Sequence, residues 1–201
     1  MVNRGAGKPV PIKRIAMTYV KVSIPKVEGG GAALPKKDRI SIFDADDIAS
    51  DIVRTPGSTK SAGPITLNAG AKGVSIQVTR SSISCGYENS GDIDAKVAKD
   101  KVEFDYPGDT EEFNNFVEAH LNKGMVIIVE SCDGPTKVYG RKCNPMHLTA
   151  EPTDNNESRK THLSFEQEMG DAFLPTEYTG TIPDVAEDAS EGSGSGGGEG
   201  I

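Results

Sequence analysis

Three histidines (His120, His147 and His162) and three cysteines (Cys85, Cys132 and Cys143) are the side chains best able to move protons, attack an electrophilic centre or bind a soft metal in this sequence. Nucleophilic catalysis needs a nucleophile, a base and an orienting group in contact, and no nucleophile-elbow pattern accompanies these histidines. His120 falls at the C-terminal end of an expected helix, where positive charge is favoured, and His162 on the wet face of an expected strand. Cys132, Cys143, His147 and His162 have zinc-ligand chemistry. However, ten residues separate the two cysteines and fourteen the two histidines, spacings that match no common zinc knuckle. Gly5-Ala6-Gly7-Lys8 imitates the end of a phosphate-binding loop, yet Pro9 and Pro11 follow where a helix should present its first amides. Asp44, Asp46, Asp47 and Asp51 cluster without the glycine and closing glutamate of a calcium loop, and read as a solvated face or a helix start. The sequon at Asn156 matters only in a secreted chain. These residues predict no enzyme, no cofactor and no required metal.

The scaffold that would position any such group has limited apolar content. The 201 residues are 35% hydrophobic, with 6 Phe, 5 Tyr and no Trp, against ~45–50% apolar in typical globular domains. A thin core of Val and Ile is expected, and 23 Gly with 12 Pro fit a turn-rich β chain with appendages. The longest apolar run, Met125 to Val129, is strand-sized, so no membrane span is expected. Met1 to Ile15 carries Arg4, Lys8, Lys13 and Arg14 without an apolar stretch, so no secretory signal is expected either. An odd number of scattered cysteines fits a reducing compartment.

Charge is segregated along the chain. Residues 1–40 hold nine Lys/Arg and two acids, whereas residues 41–201 hold thirteen and twenty-eight. Such a dipole can align neighbouring copies head to tail. Residues 184–201, with five acids, no base and the Gly/Ser run Gly192 to Gly198, have the composition of a disordered tail. A general nucleic-acid binder is disfavoured, because neutralising phosphates needs clustered cations.

Hydrophobic periodicity predicts short strands and one helix. Residues 13–24 read as a strand with a phase change, apolar at Ile15, Met17 and Tyr19 and then at Val20, Val22 and Ile24. Pro25 to Pro35, with Gly29 to Gly31, reads as a long mobile loop. Arg39–Phe43 and Gly73–Val78 are expected strands, and Asp44–Asp51 one or two helical turns carrying Ile48, Ile52 and Val53 at helical spacing. Ile93, Ala95 and Val97 followed by Val102, Phe104 and Tyr106 read as a hairpin whose phase resets across Lys99-Asp100-Lys101. Asp109 or Thr110 caps a helix over about 110–123. Glu111 and Glu112 complement its positive end, Phe113, Phe116, Val117 and Leu121 form its core stripe, and Gly124 closes it. Met125–Val129 is apolar on both faces, as expected of a central strand with a helix on one side and a sheet on the other. Thr136–Arg141, Met146–Glu151 and Lys160–Met169 complete the strands.

The expected fold is mainly β: a β-sandwich or partly open barrel over residues 13–183 with one packed helix. A flexible basic arm (1–12) precedes it, a long loop (25–38) interrupts it and the tail (184–201) follows. Exposed strand edges make self-association a natural expectation. Val27 and Leu34 are candidate apolar anchors in the loop, and Lys36, Lys37 and Arg39 candidate cations for the acidic remainder of another copy.

Several segments then carry a resemblance. They are Val102-Glu-Phe-Asp-Tyr-Pro-Gly108, the helix, Lys123-Gly-Met-Val-Ile-Ile-Val-Glu130, Lys137-Val-Tyr-Gly140, Asn144-Pro-Met-His-Leu148 and Glu177-Tyr-Thr-Gly-Thr-Ile182. In order and local pattern, over roughly residues 90–182, they resemble tail tube (major tail) subunits of tailed bacteriophages. The resemblance implies a virion structural protein, assembled in the host cytoplasm, whose copies form stacked and usually hexameric rings around a DNA conduit. Its partners would be other copies, other virion tail proteins and DNA that passes without specific binding. The long loop and terminal arm would contact the next ring. A head-tail joining, tail-terminator or capsid-decorating protein is the alternative within a virion, and a monomeric β-domain binding a protein or glycan the alternative outside one.

Overall fold

The computed structural model describes residues 21–54 and 57–187. The basic arm 1–12, the phosphate-loop imitation, most of the strand expected over 13–24 and most of the tail lie outside the described residues. In chain order the elements are β1 (Lys36–Asp44), β2 (Ile48–Ser50), β3 (Thr66–Leu67), β4 (Val74–Gln77), β5 (Ser84–Ser90), β6 (Val97–Pro107) and α1 (Glu111–His120). They continue with β7 (Met125–Ser131), β8 (Lys137–Tyr139), β9 (Met146–Asp154), β10 (Arg159–Gln167) and β11 (Thr176–Glu177). The fold is mainly β with one α-helix, as expected, and every pairing between strands is antiparallel.

β7 is the hub. It pairs with β1 along its length, with β8 at Ile127–Val129, and with β9 only through Met125 and Met146. That single joint divides the large sheet into two layers, β4–β1–β7–β8–β11 and β9–β10–β6–β5. Between them lies the main core, with Ile40, Ile42 and Ile127 from one layer against Phe104, Leu163 and Phe165 from the other. Phe104 and Phe165 stack at 5.5 Å between ring centroids. At the opposite corner the chain crosses from β4 to β5 through a 3₁₀ turn (Arg80–Ser82), and the Thr79 amide donates to the Asp105 carbonyl at 3.0 Å.

A second core covers the outer face of the β7 layer. It joins Phe43, Val126, Ile128 and Val138 to Ile48, Ile65 and Tyr178. The helix and the facing layer therefore share one side of β7. The other side is covered by the β2–β3 ribbon and the segment from Tyr178 to Val185, not by the second sheet expected there. Tyr178 fastens this cover, accepting from the Ile65 amide at 3.0 Å and donating to the Thr181 carbonyl at 2.8 Å.

Five local expectations are corrected. Residues 21–27 form no strand, and the segment after Asp44 is a 3₁₀ turn (Ala45–Asp47) leading into β2 instead of helical turns. Of the expected hairpin over 93–106, residues 93–96 are the turn that leads into β6, and 97–106 belong to that one uninterrupted strand, in which Ala98, Asp100, Val102 and Phe104 all face inward. Its partner on the edge side is β5, which the sequence pattern concealed because an edge strand that turns little more than Cys85 toward the core shows no apolar alternation. Leu121 is 52% exposed and leaves the core stripe, where His120 is buried in its place beside Phe113 and Phe116 while Val117 is partly buried. Thr110 is the cap, its hydroxyl accepting from the Phe113 amide at 3.3 Å. Gly124 lies beyond the helix end and has an ordinary φ. Its missing side chain is needed because a Cβ there would stand 2.4 Å from Pro145 Cγ.

The unequal burial of the stripe has a measurable result. Phe116→Ala is expected to lower the unfolding free energy by ~3–5 kcal/mol, and Leu121→Ala by less than ~0.5 kcal/mol. Urea titration of the two variants checks this, and equal losses would place Leu121 in the core after all.

Candidate functional site

The three histidines have no common centre. His120 Nδ1 lies 2.7 Å from the Phe116 carbonyl oxygen and Nε2 lies 3.0 Å from Asp44 Oδ1, so both nitrogens face acceptors. Lys123 Nζ reaches the other Asp44 oxygen at 2.6 Å. His162 Nδ1 contacts Asp105 Oδ1 at 2.8 Å, and Lys160 Nζ contacts Asp105 Oδ2 at 2.6 Å. Burial opposes ionisation of Asp105, but its bonds to Lys160 and His162 prevail and hold its carboxyl below the ordinary range. Neither ring is hydrogen-bonded to a Ser, Thr or Cys among the described residues, and each Asp–His contact links two elements, β1 to the end of α1 through Asp44 and His120 and β6 to β10 through Asp105 and His162. Burial pushes the Cys85 thiol up to about 11, away from nucleophilic character, while Cys132 and Cys143 are exposed. Among the described residues no three His, Cys, Asp or Glu side chains gather where a metal ion could sit.

The polar group with the most unusual surroundings was absent from the sequence expectations. Asp100 occupies an inward position of β6 and is 6% exposed. Its Oδ2 accepts from the Gly140 amide at 2.9 Å, and its own amide donates to Gln167 Oε1 at 2.9 Å. Gln167, buried at the end of β10, donates in turn to the Asn144 carbonyl at 2.9 Å. The turn after β8 is thereby tied to both β6 and β10. Gly140 sits there at φ 75°, and a Cβ on it would stand 2.8 Å from Met146 Cγ. Nearby, Arg141 pairs with Asp171, and the Arg141 and Arg54 guanidiniums each lie 4.9 Å from the centre of the Phe173 ring. Asp100 Oδ1 and Arg141 Nε are buried without a hydrogen-bond partner. The signal for this cluster was parity: Asp100 continues the face of Val102 and Phe104, and Gln167 that of Leu163 and Phe165.

A groove of about 490 Å³ opens between β4 and α1. Val74, Ile76, Tyr106, Phe113 and Phe116 line it, and exposed Glu112 stands on its helical side. Tyr106 and Phe113 stack at 3.9 Å between centroids. Among the described residues β4 pairs with no strand but β1; at its start Gly73 is held by the 184–186 segment, its amide donating to the Asp184 carbonyl and its carbonyl accepting from the Ala186 amide, and beyond Gly73 the other edge borders this groove without a strand partner.

The residues expected to serve assembly separate into two groups. Val27 is 71% exposed, within a turn closed by amides of Gly30 and Ala32 donating to the carbonyls of Val27 and Gly29. Leu34 is 47% exposed and lies over Gly134, where a Cβ would stand 2.8 Å from Leu34 Cδ1. Lys36 and Lys37 belong to β1 and not to the loop, which ends three residues sooner than expected, while Arg39 lies in the strand as expected. Lys36 donates to Ser131 Oγ at 3.0 Å, Lys37 pairs with Glu130 at 2.5 Å, and Arg39 stands opposite Gln77 in the β1–β4 register.

Fold and groove together define a mainly β, antiparallel domain with a helix-flanked open edge. No protein-family model, curated protein or solved structure matches the chain.

The buried acid makes stability pH-dependent. Burial is the chief cause that pushes the Asp100 carboxyl up to about 6, with the Gly140 amide and the two arginines opposing it. Because the folded value exceeds the ordinary one of about 3.9, the native state binds this proton more tightly than the unfolded chain. Its stabilising contribution is complete below the unfolded value and is lost as pH rises through about 6. Asp100→Asn is therefore expected to raise unfolding free energy at pH ~7.5 by ~1–3 kcal/mol and by less at pH ~5. Denaturant curves at both pH values check this, and equal effects at the two would remove Asp100 as the titrating group.

Proposed function

We propose that this chain is a self-assembling structural subunit of the tail-tube type, whose copies build stacked rings around a DNA conduit in a virion tail. The observation that carries the reading is the mismatch between a well-filled interior and an apolar strip left outside it. Ile40, Phe104, Met125, Leu163 and Phe165 are fully buried, whereas Val22, Ile24 and Val27 are 64%, 85% and 71% exposed. Exposed apolar side chains in such density, in a chain that also leaves an edge of β4 open, gain free energy when copies cover one another. Charge segregation gives the contact a direction, because the first 40 residues carry a net +7 (nine bases, two acids) and the remainder −15 (thirteen bases, twenty-eight acids). An acidic remainder also suits a conduit that must let DNA pass without holding it. The resemblance in element order over residues 90–182 supports the tube in preference to the other virion roles.

Light scattering over a range of protein concentrations, with electron microscopy of the same samples, tests the reading. Rings or tubes are expected, built on interfaces of ~1,000 Å² or more and weakened by added salt through screening. A strictly monomeric species at every concentration would overturn the proposal and leave a β-domain that binds a protein or glycan.

A further inference from the structure

The groove beside β4 and the segment before β1 have complementary chemistry. Peptide groups along a strand alternate in direction, so half of those in β4 point away from β1, its one partner among the described residues. Below that edge the groove offers Val74, Ile76 and the Tyr106–Phe113 stack. Glu111 and Glu112 are exposed on the first turn of the flanking helix. The N-terminal segment has the matching pattern, with Val20, Val22 and Ile24 at alternate positions, Lys21 and Ser23 between them, and further cations at Lys13, Arg14 and Lys26. A strand of that pattern buries one face only when a sheet edge receives it. The described part of that segment, residues 21–27, is exposed throughout, and the chain then turns at Val27–Ala32.

We propose that residues 13–24 of one copy add as a strand to the open edge of β4 in a second copy. Its apolar side chains enter the groove against Tyr106 and Phe113, and its cations meet Glu111 and Glu112. The inference rests on the self-assembly reading and names the surface that performs it. Occupancy in trans makes the contact heterologous, the kind that repeats from copy to copy.

Two reagents test it. One is the full chain carrying Val22→Asp and Ile24→Asp, two exposed positions whose replacement leaves the fold in place. The other is a fluorescently labelled synthetic peptide of residues 13–24. The double variant is expected to scatter light as a smaller species than the unaltered chain. The peptide is expected to bind that variant, slow amide exchange at residues 74–78, and lose affinity about tenfold when Glu112→Lys is added. If the unaltered chain and the double variant assemble equally and the peptide protects nothing at 74–78, strand addition is overturned while self-assembly stands. If the unaltered chain is monomeric, the proposed function itself falls, a result distinguishable by light scattering alone.

Discussion

Burial of β7 on both faces is the constraint from which the rest of the structure follows. Met125, Val126, Ile127, Ile128 and Val129 are each no more than 2% exposed, and a strand turns successive side chains to opposite faces. Each such side chain contributes ~1.5–3 kcal/mol only if its face is covered. The chain must therefore build two covers. Met125, Ile127 and Val129 share the main core with the β6–β10 layer, while Val126 and Ile128 share the second with Ile48, Ile65 and Tyr178. Neither core on its own leaves β7 dry. The β2–β3 ribbon and the segment after β11 thus become obligatory parts of the domain, even though their sequences are rich in turn residues.

The helix takes its position from the same strand. It precedes β7 by four residues, and its end is fixed to the end of β1 by Asp44, which reaches both His120 and Lys123. The Ala45 amide donates to the Gly124 carbonyl at 2.9 Å, and Gly124 lies against Pro145. These contacts hold the helix where Phe113 and Phe116 close one side of the main core. The same placement leaves the edge of β4 open, because a helix offers no backbone hydrogen bonds to a neighbouring strand. The groove is thus a by-product of covering a β core with a helix at that corner.

Features encoded by period and composition were legible in the sequence. The helix, its acidic first turn, the doubly buried Met125–Val129 strand and the alternating Lys160–Met169 run all follow from local rules. What could not be read were elements defined by position in the sheet. Edge strand β5, Ser-Cys-Gly-Tyr-Glu-Asn-Ser, exists because β6 needs a neighbour, and nothing apolar marks it. Lys99-Asp100-Lys101 resembled a turn because the inward residue among them is an acid, acceptable there only because the Gly140 amide and the Arg54 and Arg141 charges converge on it. Leu121 matched the helical stripe by spacing, yet the helix had already ended and the ring of His120 filled the site. Each discrepancy is a case in which a tertiary partner outweighed a local pattern.

The distribution of satisfied and unsatisfied groups also bears on which force would dominate the proposed assembly. Lys36 and Lys37 stand among the basic residues of the N-terminal region but already have partners in Ser131 and Glu130. An exposed ion pair contributes ~0–1 kcal/mol, so exchanging Glu130 for an acid of another copy is close to neutral. Those lysines can steer an approach without holding it. Val22, Ile24 and Val27 differ, because their own chain covers them poorly and burial against a partner gains ~25 cal/mol for each Å² of apolar surface. The residues that would hold copies together are therefore the aliphatic ones at the start of the loop and just upstream of it. In the proposed assembly the cations around them, Lys21 and Lys26, would set orientation and on-rate, and their contribution would fall with added salt whereas that of the aliphatic contacts would persist.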